Sequence, residues 1–142
     1  MSKHLASRED EAFRESVEDF SLPVNRFNHR AHIRLAYVYL ASNNLDTAHQ
    51  LMRAALLGLL SHNGVDPQKY HETLTRAWIL AVAHFMAESP PAQSSDELID
   101  ANPQLLDKAI MGHHYSADLL ATEEARISFV EPDVSAIPRH VG

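Results

Sequence analysis

"FNHRAHIRLAYVYLASNNLDTAHQLMRAALLGLLSHNG", Phe27 to Gly64, is the stretch whose reading decides the fold. His29, His32, Ala36, Tyr39 and Asn43 recur at three- and four-residue intervals, the spacing of one helix face. Asn28 stands where an N-cap belongs, so a helix is predicted from there to about Ser42. "SNNLD" reads as a tight turn, and a second helix follows from Leu45 or Asp46 to about Ser61. Helices joined this closely run antiparallel.

Punctuation extends the pattern in both directions. Ahead of the hairpin, an acidic amphipathic helix is predicted over Ser7–Phe20, with Phe13, Val17 and Phe20 on one stripe, broken by Pro23. Behind it, Gly64, Asp66 and Pro67 form a stop-and-start signal for a long helix to about Glu88. On that helix His71, Leu74, Trp78, Ala81 and Phe85 make the apolar stripe. Pro90 and Pro91 end it, leaving residues 89–102 as a loop long enough for a lid or linker, with room for a short turn of helix. A fifth helix is predicted over Pro103–Met111, and a sixth from the cap Ser116 to about Ile127. Residues 128–142 read as an extended tail pinned by Phe129, Val130 and Ile137. Strand signals are weak. The expected fold is all-α: one domain over 1–142, an antiparallel bundle of five to six helices.

Composition narrows the function. The 142 residues, 45% hydrophobic, suffice for one core, and no cysteine is present for disulfides, thiolate metal sites or nucleophiles. No apolar run reaches the roughly 20 residues of a membrane span, and the N-terminus is too polar for a secretory signal, so a cytoplasmic protein without membrane contact is expected. Twelve basic against 19 acidic residues, a net charge of −7, argue against nucleic acid as a partner. No nucleophile elbow, phosphate loop or H-E-x-x-H pattern occurs.

Three resemblances follow. "LAYVYLASNNLDTAHQLMRAAL" resembles one tetratricopeptide unit, with Leu35, Ala36, Tyr39, Ala48 and Ala55 at its packing positions; no second copy follows, so the implication is a close-packed helix hairpin. "FNHRAHI" and "YHETLTRAW" resemble segments of small bacterial helical proteins of uncharacterised function, which implies no reaction. In size and histidine content the chain is similar to the metal-binding DinB-like bundles, but their late H-x-x-x-H element is missing and none of their sites carries over.

Ten histidines are the outlier. Alternating the helices gathers His29, His32, His62, His71, His113 and His114 at one end of the bundle, with His49 and His84 towards the other. His32 and His71 each fall about four residues past a helix start, roughly 6 Å along the axis. Helix N-termini disfavour imidazolium, and neutral imidazole is the metal-binding form. His29, His32 and His71, completed by His113 or His114, are therefore the candidate ligands of a divalent transition metal (Zn, Fe, Ni or Cu), with Glu72 as acid or base and a small molecule as substrate, in a hydrolytic or oxidative enzyme. The structural alternative has histidines capping carbonyls, and Glu72 in a surface pair with Arg76. Two other functions compete: a non-catalytic module with a pH-responsive histidine pocket, and a homodimer whose interface is the helix hairpin.

Overall fold

The computed structural model describes residues 3–139. Among them every regular element is helical: α1 (Arg8–Glu18), α2 (His29–Ser42), α3 (Leu45–His62), α4 (Glu72–Glu88), α5 (Ser95–Ala101), α6 (Ala117–Leu120) and α7 (Glu123–Ile127), plus short 3₁₀ turns. The hairpin lies where the Asn28 cap and the SNNLD turn predict. Asn28 accepts the Ala31 amide, Asn44 accepts the Thr47 amide, and only Asn43 and Asn44 separate α2 from α3.

α2 is the central helix, with α1, α3, α4 and α5 all packed against it. That position explains why Ile33, Leu35, Ala36, Tyr37, Val38 and Tyr39 are all buried, beyond any single stripe. α3 contributes Ala48, Met52, Ala55 and Leu59, and α4 contributes Ala77 through Val82. α1 joins α3 through Phe20, which adopts the left-handed conformation (φ 65°) just past the helix end. Its ring stacks on His62 at 4.6 Å and lies 3.3 Å from where a Cβ on Gly58 would stand. Gly64 also has a left-handed φ of 65°, as expected of a terminator after α3.

One polar network ties three helices through the core. Ser7 and Asp10 form a reciprocal capping box at the start of α1. The Asp10 carboxylate is 1% exposed and accepts three further hydrogen bonds: from the Ser95 amide (2.8 Å), the Ser95 hydroxyl (2.6 Å) and Arg34 Nε (2.9 Å). Burial alone pushes this carboxyl up, but the bonds from Ser95, Ser7 and Arg34 outweigh it and hold it below the ordinary aspartate value.

Four expectations need correction. The long helix does not start at Pro67: Pro67–Lys69 is a 3₁₀ turn, Tyr70 and His71 are extended, and α4 begins at Glu72. Tyr70 is drawn inward to donate to Glu72 Oε1 at 2.5 Å, which breaks the run, and His71 becomes the N-cap of α4 rather than a residue one turn inside it. The predicted fifth helix is two 3₁₀ turns, Pro103–Leu106 and Lys108–His113, split where the Asp107 carboxylate bonds the Ala109 amide. The predicted sixth helix is α6 and α7, because Thr122 caps a fresh start. Residues 89–102 are no loose loop: α5 occupies their second half, and Ala92, Ser95, Leu98 and Ile99 are buried. The tail is extended as expected, with Ile137 buried and Phe129 and Val130 half-buried. His140 and the two residues after it lie outside the described residues.

Candidate functional site: a pocket at one end of the bundle

Five segments converge on a pocket of about 660 Å³. The start of α2 brings Asn28, His29 and His32; α3 brings Leu56, Leu59 and Leu60; the stretch leading into α4 brings Lys69, Tyr70 and His71. Trp78, the sole tryptophan, comes from α4, and Lys108, Met111 and Gly112 come from the second 3₁₀ turn. His29, His32 and His71 thus face one cavity. His113 and His114 do not line it: His113 is exposed, and the His114 ring donates from Nδ1 to the Ser135 carbonyl (2.8 Å), fastening the tail.

The hydrogen bonds decide what each imidazole can offer. His71 Nδ1 accepts the Leu74 amide (3.1 Å), so its proton is on Nε2, which donates to the Leu120 carbonyl (2.8 Å). Neither nitrogen has a lone pair left for a metal. His29 lies edge-on to Trp78, with ring centroids 4.8 Å apart, and bonds the Leu105 carbonyl through Nε2 (2.9 Å). Burial lowers its pKa, as does Lys108 nearby, while the Leu105 bond and Asp107 act the other way. His32 is half-buried against Phe27, and its Nε2 is shut off from solvent without a hydrogen-bond partner. Burial first, and His29 second, push its pKa down to about 4, so it is neutral at pH 7. A preassembled three-imidazole metal site does not fit this arrangement, and among the described residues no group of three or more His, Asp or Glu is placed to hold a metal ion. Of the three imidazoles that line the cavity, only His29 and His32 keep a nitrogen outside these bonds.

Glu72 is behind the pocket wall, not on it. Instead of the anticipated surface pair with Arg76, it is buried with the Tyr70 hydroxyl at 2.5 Å, His49 Nε2 at 3.5 Å and Arg53 at 3.9 Å. Arg76 reaches Asp46 (3.2 Å) and donates to His49 Nδ1 (3.0 Å), which leaves the His49 proton on Nε2, towards Glu72. Burial lowers the His49 pKa, and Glu72 partly restores it. His62 is exposed, and His84 lies edge-on to Phe85. Tyr70→Phe should remove the short bond and destabilise the protein by about 2 kcal/mol, since a buried carboxylate loses a donor. Urea denaturation checks this; a loss under about 0.5 kcal/mol would mean the bond is not held in solution.

The role of Tyr70 as both wall and Glu72 partner, and the burial of His49, were missed by sequence reasoning. The one available signal was their chemistry, because a tyrosine and a histidine near an apolar stripe each need a polar partner.

Comparison with protein-family models, with curated proteins and with solved structures finds no match to this chain. Among the described residues no helix is long and apolar enough to cross a membrane.

Proposed function

We propose that this protein is a ligand-binding module whose pocket takes a small, mainly apolar molecule. One observation carries the reading: a cavity of about 660 Å³, within the usual range of small-molecule sites, walled by leucines, Phe27, Met111 and Trp78 with a few polar groups set among them. His32 is one of the lining residues and is neutral at pH 7. Because Trp78 is the sole tryptophan and lines the pocket, its fluorescence reports occupancy directly. Anilinonaphthalene sulfonate should bind in the micromolar range and change Trp78 emission. Leu56→Phe, which adds bulk to the wall, should weaken that binding about tenfold, with the melting transition retained. Unchanged affinity in Leu56→Phe, or dye binding without any Trp78 response, would place the dye elsewhere.

The metal-dependent reading rests on the two imidazoles His29 and His32, since His71 has no nitrogen to give. Two imidazoles without a carboxylate make an incomplete site for zinc or iron. Untagged protein is therefore expected to carry well under one equivalent of zinc, iron, nickel or copper by elemental analysis. His71→Ala should cost stability through the lost α4 cap, about 1 kcal/mol, rather than metal content. One equivalent of metal, lost in His29→Ala and His32→Ala, would restore the enzymatic reading.

A further inference from the structure

We infer that the pocket selects an anionic amphiphile, with a carboxylate-type head held by Lys69 and Lys108 and an apolar body lying against Trp78 and the leucines. This deepens the ligand-binding reading and rests on it. The charge on the wall is one-sided: two lysines line the cavity and no aspartate or glutamate does, in a chain where acids outnumber bases 19 to 12. Both lysines are exposed, and neither forms an ion pair among the described residues. The acids nearest in sequence are engaged elsewhere: Asp66 accepts from the Gln68 amide and Asp107 from the Ala109 amide, both at 2.9 Å, Glu72 accepts from the Tyr70 hydroxyl at 2.5 Å, and none of the three lines the pocket.

The remaining polar groups on the wall are largely spoken for. His71 uses both nitrogens, His29 uses Nε2, and the Tyr70 hydroxyl is given to Glu72. The ammonium groups are the charged functions left to meet a ligand. The N-cap residues of α2 and α4, Asn28 and His71, also line the cavity, and helix N-termini carry partial positive charge. An apolar body gains by leaving water for the leucine wall, and a carboxylate keeps its hydration at the mouth while facing two cations.

The test compares decanoate, decanol and decylamine, each titrated into the full chain below its micelle concentration, with Trp78 fluorescence and calorimetry as readouts. Decanoate should bind about tenfold more tightly than decanol, and decylamine more weakly than either. The double variant Lys69→Gln/Lys108→Gln should lose about tenfold in decanoate affinity and none for decanol, and raised salt should act on decanoate alone. Decanol matching decanoate, or full decanoate affinity in the double variant, would overturn the head-group assignment while leaving the pocket reading in place. Absence of binding by all three would overturn both. Cosedimentation with phosphatidylglycerol vesicles separates a free ligand from a bilayer. The net charge of −7 predicts no cosedimentation, and vesicle binding without decanoate binding would overturn the proposal.

Discussion

Asp10→Ala is expected to destabilise the protein by about 3–5 kcal/mol, the largest effect of any single polar substitution in this fold. The carboxylate is buried and receives bonds from Ser7, both donors of Ser95, and Arg34. Its removal leaves the Ser95 amide and hydroxyl without an acceptor inside the protein, and Arg34 without its counter-charge. It also dissolves the capping box of α1. The melting temperature should fall on the order of 10–15 °C. Asp10→Asn should recover only part of the loss, because a neutral amide keeps the shape but brings N–H donors where acceptors are needed. Since Ser95 begins α5, hydrogen exchange should speed up in α5 as well as α1. A loss below about 1 kcal/mol would mean that α5 is not anchored through Asp10.

The second large effect is a dependence of stability on pH centred on His32. Its pKa in the folded protein is about 4, against 6.5 for an ordinary histidine. The unfolded chain therefore binds the proton first on acidification. Stability should be intact above pH 6.5 and decline as the pH falls from 6.5 towards 4, by about 3 kcal/mol in total. His29 and His49 are also shifted downward, so they act with the same sign in the same region. The Asp10 contribution is lost at lower pH, as the pH falls from the ordinary aspartate value of 3.8 through its own depressed value. Replacing His32 by leucine tests the assignment. Because Nε2 has no partner to lose, His32→Leu should stay within about 1 kcal/mol of wild type at pH 7. At pH 4.5 it should be the more stable protein by about 2 kcal/mol. An unaltered pH slope in His32→Leu would show that another group governs acid sensitivity.

How much of this was legible beforehand depends on the range of the interaction. Local signals were sound: Asn28 and Ser116, read as caps, cap helices by bonds to backbone three residues on, and Ser7 and Asn44, not read as caps, do the same. The Asp66–Pro67 start signal also acts, but only on a 3₁₀ turn, because burial of Tyr70 interrupts the chain before α4. Helix periodicity placed His29, His32 and Trp78 on inward faces, whereas His71, the third of the five proposed ligands to reach the cavity, does so from the extended stretch before α4. His113 and His114 share the neighbourhood in sequence order, yet a 3₁₀ turn in place of a helix end leaves them outside the wall. Asp10 reads in sequence as one more acid in the polar first turn of an acidic helix. Nothing local marks it as buried.

The sequence by itself determined where the helices start and stop in the hairpin, the lack of strands among the described residues, and which apolar faces turn inward, since each depends on neighbours within about four residues. Tertiary structure decided the chemistry of the His29 and His71 imidazoles. The Leu105 carbonyl that engages His29 is 76 residues away, and the Leu120 carbonyl that engages His71 is 49 residues away. A proton on a ring nitrogen follows its hydrogen-bond partner, and those partners arrive only when the chain has folded.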